Sequence, residues 1–372
     1  MPKLSGVALL SPHPDEPTEH QLIIRTTSHS PLPFNRVIEG VGESFRANPY
    51  LFAYTQIDPT LGPDHPQGLL RSITSEGKTL KIPEGTLAEQ GTYFLHEQTL
   101  AYLENFNSED DTGQLELIDQ DSQTPSEFVP IEGVTEGFRI NQHVVSFMLY
   151  DLSEDYGTLR VSNLYAHSPS IHLSIPYVRQ YELLEDRIIY NAYTPESLSH
   201  QTRVSQLHAI TLEGTPIEPF RVFHHADQFH LGAERIYCQS PSRLVRTDGT
   251  FLHTLDMNGQ LLGGHLIERV LESTSIGHRI AYLKAPQGHF LQSNLFSELH
   301  ITNENGHAIE NFRPIPRVFT ANGLKINSSM IAYTTTRDVF SDVSTLHFID
   351  HEGNPIHSLP ELSVIADHFV LF

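Results

Sequence analysis

The sequence predicts an all-β protein built from one repeated four-stranded unit, and three observations lead to this prediction. Short apolar and aromatic runs recur about every 45 residues along the chain. Most runs lead to a second apolar strand and then to Asp, Asn or Glu followed by Gly, a pair that favours a tight turn. No segment shows an apolar period of 3.6 residues over the length of a helix, so helices contribute little.

The second strand of the unit is the most regular element. It is apolar and usually ends in Tyr or Phe, as in Arg279-Ile280-Ala281-Tyr282. Its eight copies start at Gly6, Tyr50, Thr99, Val144, Arg187, Arg235, Arg279 and Met330. Such a period is expected of propeller blades or of linear solenoids.

The third strand and its turn follow each copy. The strand begins with Leu at 22, 69, 115, 159, 207, 244, 299 and 346. The turn column contains Glu76-Gly77, Glu213-Gly214, Asp248-Gly249, Asn305-Gly306 and Glu352-Gly353. We expect the short runs after the turns, such as 215–217 and 354–356, to form the outer strand.

An inner strand precedes most copies of the second strand. It alternates apolar and polar residues, as a half-buried strand does. The copies are 45–48, 93–96, 138–141, 181–184, 229–232 and 324–327. Each unit is therefore a four-stranded antiparallel meander.

The two ends of the sequence complement each other. Residues 45–358 contain seven complete units, residues 6–38 lack an inner strand, and residues 363–372 supply one. We predict a β-propeller of eight four-stranded blades, closed by pairing of the N- and C-terminal strands, in a single domain of residues 1–372. The alternative is seven blades with the N-terminal hairpin packed outside.

The Arg-Ile-Ala-Tyr strand and the hairpin with Asp, Glu or Asn before Gly resemble the repeats of TolB-like and WD40-like β-propellers. The resemblance covers nearly the whole chain and implies the propeller fold. Trp is absent, so the Trp-Asp dipeptide of WD40 repeats is missing, and the Pro-Asp-Gly corner of TolB repeats is replaced by Asn, Gly or acidic residues. The resemblance therefore implies an architecture and no specific family.

Composition limits the partners. The chain has 23 Lys and Arg against 45 Asp and Glu, a formal charge of -22, which disfavours nucleic acid and anionic membrane and favours a protein partner with a basic surface. Cys238 is the single cysteine, which fits a reducing compartment. The N-terminal apolar run is too short for a signal peptide, and no run is long enough to span a membrane. We expect a cytoplasmic protein, or one exported without a cleaved N-terminal signal.

Acidic residues are concentrated in the loops between the second and third strands. In propellers these loops share one face with the blade-to-blade connections. We predict partner binding by the carboxylates of Asp58, Asp64, Glu109, Asp110, Asp111, Asp151, Glu154 and Asp155. An arc of carboxylates on one rim attracts Lys-rich or Arg-rich segments.

Two clusters have the composition of a metal site. One lies in the first acidic loop and its neighbour, and the other lies in a blade-to-blade connection. The candidate ligands are His13, Asp15, His65, His225, Asp227 and His230. Imidazole and carboxylate suit Zn²⁺, and carboxylate suits Ca²⁺. We expect no cofactor, and a divalent metal is the alternative.

Four residues share one column of the inner strands and are expected to project toward the central channel. They are Arg46, Arg139, His230 and Lys325. Convergent cations in a channel suit an anionic ligand, although Glu182 stands in the same column.

The sequence lacks the usual catalytic motifs, including G-x-S-x-G, H-E-x-x-H, the P-loop and C-x-x-C. We therefore predict a protein–protein interaction module or scaffold with an acidic rim on one propeller face. One alternative is a metal-dependent propeller enzyme of the lactonase, lyase or hydrolase type with its site over the channel. The other is a structural subunit.

Overall fold

The structure is a computed structural model, and it contains almost only strands. It describes residues 6–14, 20–26, 35–58, 60, 67–108, 110–121, 123–124, 128–150, 154–165, 171–199, 204–232, 234–241, 250–262, 267–276, 279–284, 296–303, 306–310, 312–319, 323–335, 343–357, 359, 361–365 and 368–372.

The strands of the first half are β1 (Gly6–Pro12), β2 (His20–Thr26), β3 (Arg36–Ala47), β4 (Leu51–Gln56), β5 (Gly68–Thr74), β6 (Leu87–Ala88), β7 (Tyr93–His96), β8 (Thr99–Asn107), β9 (Thr112–Asp119), β10 (Ile131–Thr135), β11 (Arg139–Ile140), β12 (Val144–Tyr150), β13 (Gly157–Asn163), β14 (Ile171–Leu183) and β15 (Arg187–Tyr193). Those of the second half are β16 (Ser205–Thr211), β17 (Phe223–His224), β18 (Gln228–Leu231), β19 (Arg235–Pro241), β20 (Thr250–Asp256), β21 (Ile267–Ile276), β22 (Arg279–Lys284), β23 (Phe296–Asn303), β24 (Ile315–Phe319), β25 (Leu324–Ile326), β26 (Ile331–Thr335), β27 (Val343–Ile349), β28 (Leu362–Ile365) and β29 (Phe369–Leu371).

One short helix, α1 (Pro195–Ser199), lies in the connection between β15 and β16. Thr194 caps it, because its Oγ1 accepts a hydrogen bond of 3.1 Å from the backbone N–H of Ser197. The sequence does not predict this helix, because one turn is too short to show a helical period.

Antiparallel pairing groups the described strands into repeated units of inner, second, third and outer strand, as predicted. We number the units in chain order. Unit 1 contains β29, β1, β2 and the start of β3, and unit 2 contains the end of β3 with β4, β5 and β6. Units 3 to 8 take β7, β11, the end of β14, β18, the end of β21 and β25 as their inner strands.

Three strands continue fully from one unit into the next, which was not predicted, and β24 of unit 7 also makes a single bridge to β26 of unit 8, between Val318 and Thr335. β3, β14 and β21 are the outer strand of one unit and continue as the inner strand of the next. Each has a break in its register at the crossing, for example between Val178 and Gln180 of β14. A bulge of this kind bends and twists a strand, so one strand passes from one unit to the next.

The runs after the turns do not form the outer strands that the sequence analysis expected. They make only isolated bridges, such as Ile210 with Pro216 and Ile349 with Pro355. At Pro216 and Pro355 the missing backbone N–H prevents the ladder from extending. The outer strands follow later, for example β17 in unit 5 and β28 in unit 8.

β29 pairs with β1, which confirms that the two terminal strands join. Val7 lies opposite Leu371, and Leu9 lies opposite Phe369. The expectation that residues 363–372 form one inner strand is wrong in part. Their first half belongs to β28, which pairs with β27 as the outer strand of unit 8, because the run around Pro355 does not fill that position.

A cluster of buried apolar side chains lies between each unit and the next. Another joins unit 8 to unit 1, where Val7 and Leu9 pack with Met330, Ala332 and Leu346. The core is thus a series of inter-unit layers. This arrangement supports eight blades in a closed ring, and the blade count stays a prediction.

A repeated Asn fixes the turn between inner and second strand to the neighbouring unit. Asn141 Oδ1 accepts from the backbone N–H groups of His143 and Val144 at 2.8 and 2.9 Å, and its Nδ2 donates to the carbonyl oxygen of Leu184 at 2.7 Å. Asn48 and Asn327 repeat this pattern. Each such Asn closes its own turn and bonds to the next unit.

Candidate functional site

Antiparallel topology gathers two kinds of loop at one end of the fold. The loop from second to third strand and the connection to the next unit lie at this end, and the other two turns lie at the opposite end. We call them the connection end and the turn end. Asp155 lies in the second-to-third loop of unit 4, and Asp227 lies in the connection from unit 5 to unit 6. Both are therefore at the connection end.

A cavity of about 520 Å³ opens at the connection end, where the inner strands of units 5, 6 and 7 begin. Its charged and polar lining includes Asp155, Arg179, Asp227, His230, Gln239 and Glu272. Three of these side chains are carboxylic acids and one is a guanidinium. With His230 neutral, the lining has an excess of negative charge.

Arg179 lies between the two aspartates of the cavity. It forms an ion pair with the Asp227 carboxylate, and its Nη1 donates to the Asp227 backbone carbonyl at 2.8 Å. Its Nε lies 3.3 Å from Asp155 Oδ2, which also accepts a 2.7 Å hydrogen bond from the Tyr193 hydroxyl. Burial acts to lower the pKa of Arg179. The hydrogen bond to Asp227 and the nearby carboxylates raise this pKa by more than burial lowers it, so the net shift is upward. The guanidinium therefore stays charged and holds acids from two loops in place.

Two side-chain amides, of Gln180 and Asn191, position the connection that contains Asp227. Gln180 Nε2 donates to the Phe229 carbonyl oxygen at 2.7 Å, and its Oε1 accepts from the Phe229 N–H at 3.1 Å. Asn191 Nδ2 donates to the carbonyl oxygens of Ala226 and Asp227, both at 3.0 Å. Asn191 is fully buried. Unit 5 thus orients the backbone that places Asp227 and His230 at the cavity.

His230 lies on β18, opposite Tyr237. The two rings stack, with centroids 5.0 Å apart and planes 11° apart. Its Nε2 is buried and has no hydrogen-bond partner among the described residues. Burial lowers the pKa of His230 to about 4, so the imidazole is neutral near pH 7.

A second group of carboxylates lies at the connection end of units 2 to 4. Glu89 and Glu136 lie in unit-to-unit connections, and Asp111 lies in the second-to-third loop of unit 3. Burial raises the pKa of Glu136, and the charges of Asp111 and Glu89 raise it further. Acids from three loops are therefore close enough to repel one another.

The predicted partner-binding residues that the structure describes all lie at the connection end. They are Asp58, Asp110, Asp111, Glu154 and Asp155. Asp155 joins the cavity, and Asp111 joins the group around Glu136. Asp58 and Asp110 accept hydrogen bonds within their own loops, from Thr60 and Thr112. Asp64, Glu109 and Asp151 lie outside the described residues.

The predicted metal ligands are divided between separate places. Asp227 and His230 line the cavity, whereas His13 follows β1 with its Nε2 3.9 Å from Glu39 Oε1. His225 lies in the unit 5 to unit 6 connection with a φ of 67°. Asp15 and His65 fall outside the described part of the chain. Within that part, no group of three or more His, Cys, Asp or Glu side chains is placed to hold a metal ion, and the metal site stays a prediction.

The predicted channel residues lie on inner strands, as expected: Arg46 on β3, Arg139 on β11, His230 on β18 and Lys325 on β25. Of these four, His230 lines the cavity at the connection end. Arg139 lines a second cavity at the turn end.

Sequence reasoning missed Arg179 and Glu272. Arg179 stands two residues before Tyr181, where the sequence analysis began the inner strand of unit 5. Glu272 belongs to the inner part of β21, a strand that lacks the strict alternation of the other copies. Both residues would have been found by extending each predicted inner strand a few residues toward the connection that precedes it.

Searches with protein-family models and among curated proteins find no match to the sequence. Solved structures do match. One from a study of two prolyl endopeptidases has a TM-score of 0.54 at 14% identity, over 89% of this chain and 50% of that chain. Apo AztD from Citrobacter koseri has a TM-score of 0.50 at 10% identity, over 99% of this chain and 97% of that chain. The β-propeller domain of the Trilobed protease from Pyrococcus furiosus has a TM-score of 0.46 at 14% identity, over 72% of this chain and 84% of that chain. Together with the antiparallel four-stranded units, the first two of these matches show that the fold is a β-propeller.

This chain spans half of the prolyl endopeptidase structure that it matches. At such low identity the likeness establishes the propeller and nothing about activity. In the described part of this propeller, no helix is long and apolar enough to cross a membrane.

Proposed function

We propose that this propeller is a protein-binding module that takes a basic segment of a partner on its connection end. The cavity lined by Asp155, Asp227 and Glu272 receives one Lys or Arg side chain of that segment. The acidic loops of units 2 to 4 then contact the residues that flank it.

The composition of the cavity is the main support. Three carboxylic acids line it against the single guanidinium of Arg179. The side chains of Asp155 and Asp227 are 42% and 43% exposed, although both contact Arg179. They therefore keep surface for a second cation. A cationic side chain entering this cavity gains charge-assisted hydrogen bonds at a site that is partly shielded from water.

The charge of the surroundings gives further support. The repulsion among Glu89, Asp111 and Glu136 is relieved when a cation approaches. A formal charge of -22 adds a long-range attraction for basic partners, which raises the association rate and falls as salt rises.

The metal-dependent enzyme is the less favoured hypothesis. In the cavity, the Arg179 guanidinium lies between Asp155 and Asp227 and pairs with both. A metal ion bound there would need the same two carboxylates as ligands. The Arg179 charge opposes any cation at this place, but it opposes a divalent metal ion about twice as strongly as the single charge of a Lys or Arg side chain. We therefore favour the binding module.

The test uses a fluorescent peptide of alternating Lys and Ser residues, with binding measured by anisotropy at low salt. Exchanging Asp155 and Asp227 together for Asn is expected to weaken binding by about tenfold or more, which corresponds to about 1.4 kcal/mol. A Glu-Ser peptide of the same length is expected not to bind.

The matched control makes the same change of charge at the turn end. Glu97 and Glu234 are exposed and lie in turns between inner and second strands. Exchanging both for Gln is expected to change affinity by less than about twofold. Equal losses in the two double variants would mean that total charge alone attracts the peptide, and the proposal would fail.

A further inference from the structure

One guanidinium group on an inner strand has no anionic partner among the described residues. Arg46 lies on the inner part of β3, and its side chain makes no ion pair or hydrogen bond with any described residue. Its Cζ lies 5.7 Å from the ring centroid of Phe94, on the inner strand of the next unit. This contact fixes the position of the guanidinium but supplies only part of a counter-charge.

A second guanidinium lies two units further along. Arg139 on β11 has its Cζ 5.8 Å from the ring centroid of Tyr181, and its Nη2 lies 3.3 Å from Glu182 Oε1. Burial lowers the pKa of Arg46, the Tyr93 hydroxyl opposes this, and the charge of Arg139 lowers it further. The two cations are therefore close enough to repel each other. Among the described residues, the carboxylate of Glu182 pairs with Arg139, and Arg46 has no such partner.

We propose that Arg46 and Arg139 form a binding site for one small oxyanion, of the carboxylate or phosphate class, in the channel. The planar N–H groups of a guanidinium match the paired oxygens of such anions. An oxyanion there supplies the counter-charge that Arg46 lacks, which removes the cost of a desolvated, unpaired cation.

A route to the site lies at the turn end. A cavity of about 380 Å³ there is lined by Arg139 and by Phe94, the ring that contacts Arg46. Glu97 and Glu185 also line it. Their negative charges disfavour large polyanions at this entrance, so a small anion fits best. This site is at the opposite end from Asp155 and Asp227, and the proposal does not depend on the proposed function.

The experiment measures the melting temperature during separate titrations with inorganic phosphate and with acetate at constant ionic strength. We expect a saturable rise of about 2 °C or more with at least one anion. The rise is expected to disappear in Arg46→Met and in Arg139→Gln. The control Arg71→Gln, which removes a cation that bonds to Gln56 outside the channel, is expected to keep it.

The apo stability of Arg46→Met gives a second readout. Because Arg46 lacks an anionic partner, this variant is expected to fold and to be at least as stable as the wild type without added anion. A saturable rise with phosphate, acetate or both that is lost in Arg46→Met supports the site. No saturable rise with either anion, or a rise that persists in Arg46→Met, overturns it.

Discussion

Gly6 and Phe372 exchange two backbone hydrogen bonds, with N···O distances of 2.9 and 3.1 Å. Phe372 also packs edge-to-face on Phe52 of unit 2, with ring centroids 5.1 Å apart. Asn327 of unit 8 donates from its Nδ2 to the Phe372 carbonyl oxygen at 3.1 Å. One residue thus connects the first, second and eighth units of the propeller.

The closure predicts a large effect of Phe372→Ala. The side chain is 7% exposed, so its removal leaves a cavity between units 1 and 2. We expect a loss of about 3 kcal/mol in the free energy of unfolding, measured by urea unfolding. Tyr150→Ala, which removes a ring that is 59% exposed, is expected to change stability by less than about 1 kcal/mol. Equal effects would contradict the closed arrangement.

The repeated Asn gives a second prediction. Asn141 is 2% exposed and bonds to two N–H groups and to the Leu184 carbonyl. Asn141→Ala leaves these groups unpaired and is expected to destabilise the protein by about 2 kcal/mol. The same change at Asn48, whose inter-unit bond is exposed to solvent, is expected to cost less. The comparison is made by thermal unfolding, and a larger loss at Asn48 would contradict this account.

The sequence predicted the repeated inner, second and third strands, whereas the runs after the turns did not form the expected outer strands. The second and third strands pair as expected. A repeated contact that was not predicted joins them, because the Tyr of the second strand lies opposite the His of the third strand in three units. Tyr190 stacks on His208, Tyr282 on His300 and Tyr333 on His347, with ring centroids 5.1 to 5.2 Å apart. Residues directly opposite each other on antiparallel strands contact in this way.

Features that depend on local backbone geometry or on which loops meet were not predicted. A bulge that carries β14 from one unit to the next depends on local backbone geometry, and no residue type marks it. The cavity depends on which loops meet. Asp155 and Asp227 are far apart in sequence, and Arg179 holds them together. Arg179 lies just before the segment whose alternating pattern predicted the inner strand. The acidic residues were visible in the sequence, but their common partner was not.

His230 predicts a dependence of stability on pH. Its pKa in the folded protein is about 4, below the ordinary value of 6.5, so the unfolded chain binds the proton first as the pH falls. The stability from the neutral imidazole is present above about pH 6.5 and is lost as the pH falls toward about 4. His230→Phe keeps an aromatic ring on Tyr237 and removes the titration. We expect the wild type to lose up to about 3 kcal/mol more than this variant between about pH 7 and pH 4.

The measurement for His230 is urea unfolding at a series of pH values. Other histidines with a lowered pKa, such as His208 and His253, titrate in both proteins and cancel in the difference. Parallel pH profiles for wild type and His230→Phe would show that the His230 imidazole is not kept neutral by burial.

Arg179 predicts a coupling between the two aspartates of the cavity. Arg179→Met leaves Asp155 and Asp227 without their shared cation, and we expect a loss of about 2 kcal/mol at neutral pH because the pairs are partly shielded. Adding Asp227→Asn removes one of the two repelling charges and is expected to recover part of that loss. Arg187→Met is the matched control, because Arg187 pairs with the exposed Asp186 beside it and is expected to cost less than about 1 kcal/mol. Urea unfolding of the single and double variants gives the coupling free energy. If the free-energy changes of the two single variants add up to that of the double variant, or if Arg187→Met loses as much stability as Arg179→Met, then Arg179 contributes as a surface cation and does not hold the two acids together.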